Sequence, residues 1–322
     1  MSQQFTNRIN TVRSAKPRLN SSERRKRVVP LSYQMLGLGL NLVSYLRNEW
    51  AADILSNIWF TVFKSKPKLW VSEFWQRADS CVEVQLEDKS IPVSFWGQGP
   101  LVVMMHGWSG SGVQFRRLIP GLVEAGYQVA AFDAPTHGSN PGKHSHLLEF
   151  SDSLVAIQQQ IGPVDTVMAH SLGGMAAVVA AQRGLSARQM VLFGPHLDLQ
   201  KMYQSYSDLL DLNPKLSNRI RDKIGQKMAD ILGVDDVWAL LTPAILLAQS
   251  DYQGLLVYDN EDEEIPQDQF KAIEQHWQGC RVLKTEGLGH HQILKDESVI
   301  ESVLAFMSGP EIGERKFNPK AF

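Results

Sequence analysis

Residues 168–176, MAHSLGGMA, place a serine between an apolar run and two glycines. The run before the serine predicts a strand and residues 172–183 predict a helix, so Ser171 lies at the joint. A serine there could simply cap the helix by accepting an amide hydrogen of its first turn. A sharp strand-to-helix turn that projects the hydroxyl instead needs tiny residues two before and two after it, and Ala169 and Gly173 meet that demand. The stretch therefore predicts a nucleophile, with helix capping as the alternative.

The composition of the whole chain is that of a globular protein. Its 322 residues are 43% hydrophobic, which is enough to bury one large core with an appendage. The formal net charge of −2 gives no reason to expect a nucleic-acid partner. Cys81 and Cys280 lie far apart, so we expect no disulfide framework, no zinc cluster, and a reduced, cytoplasmic compartment. No other metal or cofactor is expected either.

On either side of the serine, short apolar runs alternate with longer helical stretches, a pattern typical of βαβ units and a mainly parallel sheet. Eight strands are predicted, at residues 82–86, 92–96, 101–106, 128–133, 166–170, 189–193, 255–258 and 281–284. Helices are predicted near residues 113–125, 146–161, 172–184, 266–278 and 295–307. A polar turn joins the first two strands, so the sheet is expected to open antiparallel.

Residues 197–250 break this alternation, because helical windows follow one another there without a strand between them. Ile220, Ile224 and Met228 recur at the spacing of one helix face. A helical insertion between two strands of a sheet is expected to form a cap over the strand ends. The alternative is a helical elaboration that touches no ligand.

The N-terminal region has a basic segment followed by an apolar one. Residues 1–30 carry eight Lys or Arg against the single Glu23, which leaves −9 for the rest of the chain. Residues 28–46 are uncharged, but polar residues and Pro30 interrupt them, so an amphipathic helix that continues to Trp59 is favoured over a membrane span. Its apolar face could be covered by the rest of the chain, by a second copy, or by an anionic bilayer. We expect packing within the protein.

A nucleophilic serine also needs a base and donors for an oxyanion. Near the C-terminus, GLGHH at residues 287–291 follows a predicted strand, and His290 is preferred over His291 as base because it directly follows Gly289. After the strand at 101–106, a glycine-rich loop begins in which the amide of Trp108 could meet that of Leu172 around one negative oxygen. The alternative for this loop is a plain connection.

The base in turn needs a carboxylate that holds its ring. Asp262 has the best offset from the strand that precedes it, Asp259 is the second choice, and Asp198 after an earlier strand is the third. Of the other histidines, His106 and His137 are expected to stabilise loops and His170 to point away from the site. The remaining four are expected at the surface or on the cap: His144, His146, His196 and His276.

From residue 80 to residue 308 the chain resembles the α/β-hydrolase family. The motifs HGWSG, FDAPTHGSN, AHSLGG, YDNEDEEIP and GLGHH follow one another in the family's order. The resemblance implies an α/β fold: a mostly parallel eight-stranded sheet with helices on both faces and a helical cap insertion. Position by position it matches Ser171 to the nucleophile, Asp262 to the acid, His290 to the base, and Trp108 and Leu172 to the oxyanion amides. Two departures are Ala169 in place of glycine and the N-terminal helical extension.

Four segments are therefore expected. They are a basic tail with a helical extension at 1–79, a hydrolase core at 80–196 and 251–309, a cap at 197–250, and a tail at 310–322. The expected activity is that of a serine hydrolase, which cleaves a small-molecule carboxylic ester or thioester through an acyl-enzyme on Ser171. Because the cap is rich in apolar residues, an apolar acyl group is favoured. The alternative is a non-catalytic member of the fold that binds a ligand or a partner. Peripheral membrane contact or self-association through the N-terminal helix stays open.

Overall fold

The computed structural model describes residues 9–13, 31–64, 66, 68–248 and 252–309. Within these limits the chain forms two compact units. One unit consists of residues 9–13, 62–197 and 246–309 and contains the sheet; the other consists of residues 31–61 and 198–245 and is helical. Of the expected N-terminal extension at 1–79, residues 31–61 belong to one unit with the inserted helices, whereas residues 9–13 and 62–79 belong to the sheet-bearing unit.

Nine strands of the described chain form one sheet. They are β1 Ile9–Arg13, β2 Ser80–Gln85, β3 Ser90–Trp96, β4 Leu101–Met105, β5 Gln128–Phe132, β6 Val164–His170, β7 Ala187–Phe193, β8 Gln253–Asp259 and β9 Cys280–Glu286. Their order is β1-β9-β8-β7-β6-β4-β5-β3-β2. All neighbours run parallel except β2 with β3 and β3 with β5. The expected mostly parallel sheet with an antiparallel start is confirmed.

The ninth strand is an addition to the eight expected ones. Ile9–Arg13 pairs in parallel with β9, in a part of the chain where the sequence shows only a basic tail. Three of its five residues, INTVR, are β-branched, which suits an edge strand. A run of four uncharged residues between Arg8 and Arg13 is too short to be told from a loop by its pattern alone.

Helices of the described residues flank the sheet or build the second unit. They are α1 Leu31–Trp59, α2 Leu69–Gln76, α3 Leu118–Glu124, α4 Leu147–Ile161, α5 Leu172–Gln182, α6 Leu199–Leu209, α7 Pro214–Leu232, α8 Val237–Leu240, α9 Pro243–Leu246, α10 Gln267–His276, α11 Gly289–Gln292 and α12 Glu297–Met307, with a 3-10 turn at Gly112–Phe115. None of these helices combines the length and the apolar character that crossing a membrane requires.

The core of the sheet-bearing unit is built on its central strands. Every residue of β4, LVVMM, is buried, and so are the apolar residues of β6 and the residues 190–193 of β7. Such continuous apolar runs are expected where helices cover both faces of a parallel sheet. The carboxyl ends of these strands are therefore held on a rigid base, and the loops that leave them carry the predicted site residues.

The second unit joins α1 to the inserted helices α6–α9. α1 bends at Arg47, whose φ and ψ of −139° and 63° are not helical. Before the bend, Gly37 lies so close to Leu210 that a Cβ would meet its carbonyl oxygen, and the Asn41 amide donates to the carbonyl of Asp211 at 2.7 Å. After the bend, Glu49 accepts hydrogen bonds from Arg219 of α7 at 2.6 and 2.8 Å. One side of α1 is thus packed within the protein, as expected.

Candidate active site

Ser171 occupies the sharp turn between β6 and α5. Its backbone has φ 55° and ψ −124°, a region that residues other than glycine rarely adopt. Although the residue stands at the N-cap of α5, its side chain makes no capping hydrogen bond, so capping does not explain the serine. Strain of this kind costs about 1–3 kcal/mol and persists only where the surroundings hold it.

Two glycines let the chain close tightly around this turn. A Cβ on Gly173 would lie 2.5 Å from the His106 carbonyl oxygen, and one on Gly107 would lie 2.8 Å from the Cβ of Ser171. The turn is fixed from the other side by β7, because the Ser171 amide donates to the carbonyl of Phe193 at 3.0 Å. The loop after β4, the start of α5 and the end of β7 therefore all meet at Ser171.

His290 and Asp262 form a buried pair. The Nδ1–H of His290 donates to Oδ2 of Asp262 at 2.8 Å, and the two side chains are 3% and 0% exposed. The other carboxylate oxygen of Asp262 accepts from the amides of Glu264 and Ile265 at 2.8 and 3.0 Å. Because Nδ1 carries the proton that Asp262 accepts, a neutral His290 presents a free lone pair on Nε2.

The two other candidate acids serve different purposes. Asp259 is fully buried and accepts from the Thr285 hydroxyl at 2.6 Å and from the Leu288 amide at 3.0 Å, so it shapes the loop that leads to His290. Asp198 caps α6 by accepting from the Lys201 amide at 3.0 Å. Of the three carboxylates, Asp262 is the one that the structure pairs with His290.

His290 lies against the residues that flank the serine turn. Gly194 follows directly on the carbonyl that holds Ser171, and a Cβ on Gly194 would lie 3.1 Å from Nδ1 of His290. His170, directly before Ser171, donates from Nε2–H to the carbonyl oxygen of His290 at 3.0 Å. The structure thus brings the predicted nucleophile, base and acid together at one edge of the sheet.

The second histidine of the GLGHH motif, His291, differs from the first in exposure: its side chain is 59% exposed, whereas that of His290 is 3% exposed. Its Nε2 lies 3.0 Å from Oε1 of Glu264, and this hydrogen bond raises the pKa of His291. The other oxygen of Glu264 lies 3.9 Å from Nε2 of His290. Glu264 therefore stands beside the very nitrogen that a nucleophilic hydroxyl would approach.

Two histidines of the site were misjudged from the sequence. His170 does not point away, since its ring centroid lies 4.6 Å from that of His290. His196 is buried rather than at the surface, and its amide donates to the carbonyl of Ser171 at 3.1 Å. Burial lowers the pKa of both, and it brings the pKa of His196 to about 4 with a further contribution from the charge of His290. The one signal in the sequence was the position of His196 just after a strand end.

The two predicted oxyanion donors are the backbone amides of Trp108, in the loop after β4, and of Leu172, at the start of α5. These two segments meet at Ser171. Leu172 is the first residue of α5, where an amide has no partner within its own helix. Trp108 follows Gly107 in a turn closed by the Gly110 amide, which donates to the Gly107 carbonyl at 3.0 Å. A second donor to that carbonyl, at 2.7 Å, is Nδ1 of His106.

The loop that carries Trp108 is anchored from β5. His106 accepts the Ala134 amide on Nε2 at 2.9 Å, which fixes its tautomer, and burial lowers its pKa. Asp133 accepts from the Ser111 hydroxyl at 2.6 Å and from the Gly112 amide at 2.9 Å. The HGWSG and FDAPTHGSN motifs therefore hold one another in place, as the role expected for His106 implied.

The sheet order, the helices on it and the serine turn after β6 define an α/β-hydrolase type of fold. A family model described as the alpha/beta hydrolase fold matches residues 100–290. The chain belongs to this family, and the expected resemblance is confirmed.

Individual relatives match over shorter stretches. The chain is 31% identical over 98 residues to a pimeloyl-[acyl-carrier protein] methyl ester esterase of Aeromonas hydrophila subsp. hydrophila, which is 30% of this chain and 37% of that protein. It is 37% identical over 82 residues to a non-heme chloroperoxidase of Kitasatospora aureofaciens, covering 24% and 30%. The matches thus span about a third of each curated relative. An esterase structure from Exiguobacterium antarcticum has a TM-score of 0.53 at 18% identity, covering 70% of this chain and 99% of that one.

Proposed function

We propose that the protein is a serine hydrolase that cleaves a carboxylic ester or thioester through an acyl-enzyme on Ser171. The observation that carries the proposal is the buried hydrogen bond between His290 Nδ1 and Asp262 Oδ2, next to the strained turn of Ser171. A serine, a histidine and a carboxylate in this relation supply a nucleophile, its base and the group that orients the base. Membership of the family and an esterase among its relatives add support.

In the first half of the proposed reaction the Ser171 hydroxyl attacks the carbonyl carbon of the substrate. Nε2 of His290 takes the hydroxyl proton, and the new bond from Oγ to carbon pushes the carbonyl electrons onto the oxygen. The amides of Trp108 and Leu172 stabilise this oxyanion, for which one such donor is worth about 3–4 kcal/mol in related chemistry. As the oxyanion collapses, the bond to the leaving group breaks, and His290 returns the proton to the departing alcohol or thiol.

In the second half, water replaces the alcohol or thiol. His290 takes a proton from water as the hydroxyl adds to the acyl carbon. When this second intermediate collapses, the bond from carbon to Oγ breaks, the carboxylic acid leaves, and His290 returns the proton to Oγ of Ser171. Asp262 keeps its charge throughout and stabilises the imidazolium that forms twice in the cycle. The carboxylate of Glu264, 3.9 Å from Nε2, lies on the side from which the leaving group accepts its proton.

The substrate class follows from the chemistry of the site and from one relative. The relative from Aeromonas hydrophila is named for a methyl ester, which favours an ester of a small alcohol over an amide. The inserted helices contain many Leu, Ile, Met and Tyr residues, and this favours an apolar acyl group. Short-chain and medium-chain p-nitrophenyl esters and acyl thioesters are therefore the first substrates to assay.

The test is covalent labelling with a fluorophosphonate followed by peptide mass mapping. One label is expected on Ser171, and Ser171→Ala should lose both the label and ester hydrolysis, with a fall in kcat of about 10⁴-fold or more. Ser186→Ala, a change at an exposed serine of the same unit, is the matched control and should behave as wild type.

The competing function is a non-catalytic member of the fold that binds a ligand. A folded wild-type protein that neither takes the label nor hydrolyses any ester or thioester of the panel would favour it. Labelling that survives in Ser171→Ala would instead place the nucleophile elsewhere and overturn the assignment of Ser171.

A further inference from the structure

α1 carries an exposed apolar face that the rest of the protein leaves open. Six of its side chains are between 57% and 92% exposed, namely Leu31, Met35, Leu38, Leu42, Tyr45 and Leu46. With 100° of rotation per residue they fall on one side of the helix before its bend. The side that packs within the unit is the opposite one, which holds the buried residues Gly37, Leu40 and Ser44.

Contiguous apolar side chains that are exposed to water favour contact with another apolar surface. Scattered exposed leucines are ordinary, but six large apolar side chains contiguous on one helix mark an interaction surface. We call this set of six side chains the outer face of α1. Packing within the protein covers only the inner side of the helix, so it does not account for the outer face.

The charges that precede and follow the outer face in the sequence fit a lipid surface. From Arg24 to Arg47 the sequence contains five basic residues, Arg24-Arg25-Lys26-Arg27 before the helix and Arg47 at its bend, and no acidic residue. The outer face itself has no charge. Basic residues that come before and after an apolar helix face in the sequence are what an anionic bilayer attracts, at about 1 kcal/mol per cation near the surface.

A second copy of the chain is a weaker match for the same face. The exposed fractions of its six side chains, 57–92%, correspond to an accessible area on the order of several hundred Å², which either a second copy or a bilayer could cover. Charge decides between the two covers. A second copy would bring a second basic segment to the contact and so add like charges, whereas an anionic bilayer attracts the one basic segment that is there.

We infer that the outer face of α1 docks the protein onto an anionic lipid bilayer, lying in the interface rather than crossing it. The leucines and Met35 enter the boundary between headgroups and acyl chains. Tyr45 lies at the end of the face, where an aromatic ring with a polar tip suits the headgroup level.

The inference is tested with the full-length protein and two kinds of vesicle, pure phosphatidylcholine and phosphatidylcholine with about one third phosphatidylglycerol. Wild type should sediment with the anionic vesicles, more weakly as salt rises. Replacing Leu38 and Leu42 together by glutamine should lower the partition coefficient at least about tenfold. Ile245→Gln, at a half-exposed apolar residue of the same unit, is the matched control and should bind as wild type.

A second variant separates charge from apolar contact. Replacing Arg24, Arg25, Lys26 and Arg27 by glutamine should lower binding to anionic vesicles about tenfold or more and weaken its salt dependence. Ser171→Ala should bind as wild type, because docking needs no catalysis; a failed hydrolase assignment therefore leaves this test intact.

Three results would overturn the inference. The first is a wild-type protein that binds neither vesicle, and the second is binding that the double leucine variant leaves unchanged. The third is a wild-type dimer in sedimentation velocity that the leucine variant converts to a monomer, because the outer face would then join two copies. Circular dichroism of each variant guards against loss of fold.

Discussion

Two helices of this protein look alike in sequence and differ in the structure. α5 and the first half of α1 are both uncharged and rich in apolar residues, and both contain two glycines. In α5, ten of eleven residues are buried, whereas α1 buries only seven of its 29. Large apolar side chains that lie together on one helix face need cover. The protein supplies that cover for α5 and not for the outer face of α1.

The difference matches what each helix is proposed to do. α5 begins at a strained serine, and only a rigid, fully packed surrounding can hold a backbone in that conformation. α1 begins after a basic segment and exposes leucines, which suits a reversible contact with a partner. Apolar character alone therefore does not tell a core helix from a docking helix.

The largest effect is expected in the packed region, at the acid. Asp262→Asn preserves shape but lets His290 adopt the wrong tautomer, so kcat should fall about 10⁴-fold. Asp198→Asn is the matched control, because asparagine caps a helix as well as aspartate, and its kcat should stay within about twofold of wild type. Kinetics with a p-nitrophenyl ester measure both. A severe loss in Asp198→Asn with an active Asp262→Asn would move the acid to Asp198.

A smaller effect, on stability rather than on kcat, is expected in the same region when the pH is lowered. Burial lowers the pKa of His196 to about 4, so below the unfolded value of about 6.5 the unfolded state takes up a proton that the folded state does not. Stability is therefore lost as pH falls from about 6.5 towards 4, at up to about 1.4 kcal/mol per pH unit. In His196→Gln the slope of the unfolding free energy between pH 6.5 and 5 should be shallower by about that amount, measured by urea denaturation.

The control for this slope is His291→Gln. The pKa of His291 is raised by Glu264, so its contribution to stability is complete below about pH 6.5 and is lost only as pH rises above that value. The slope between pH 6.5 and 5 should hardly change. Because residues 31–61 and 198–245 contain no histidine, hydrogen exchange should show acid loosening the sheet-bearing unit first. Equal slopes in wild type and His196→Gln would show that His196 takes up its proton in the folded protein.

The smallest effect is expected within α1. It is the difference in stability between alanine variants at Gly37 and Gly39, two glycines on opposite sides of the helix. A Cβ at Gly37 would lie 1.8 Å from the Leu210 carbonyl oxygen, so Gly37→Ala should destabilise the protein by about 1–3 kcal/mol. At Gly39 nothing lies within 4 Å, and Gly39→Ala should stabilise it by about 0.5–1 kcal/mol through helix propensity. Thermal unfolding measures both. Similar shifts in the two variants would mean that α1 does not pack on Leu210.

Local pattern was enough to find most of the sheet. The strands around Ser171 were predictable because buried parallel strands are short apolar runs, and their ends meet at one edge of the sheet. The same rule predicts that His290 and Ser171, which each follow the carboxyl end of a strand, lie at the same side of the sheet although β7 and β8 stand between their strands. Pattern failed at Ile9–Arg13, since pairing with β9 depends on a strand more than 260 residues away in the chain.

The sequence did not determine in which direction each candidate side chain of the site points. Asp259 and Asp262 are three residues apart, and one turns towards Thr285 while the other turns towards His290. Apart from the position of His196 just after a strand end, nothing in the sequence marks His170 or His196, and burial beside Ser171 and His290 is what makes them part of the site. Such choices depend on contacts between segments that are distant along the chain.

The sequence by itself determined the mostly parallel sheet, the serine at a strand-to-helix joint and the order of the motifs, because each rests on the periodicity or size of neighbouring residues. Only the tertiary structure decided that Asp262 faces His290 and that α1 shares a unit with helices that begin about 140 residues after its own end. The tertiary structure also decided which side of α1 is exposed to solvent. The physical reason is the same in each case: burial and hydrogen bonding depend on which distant segment packs alongside, and local periodicity does not record that.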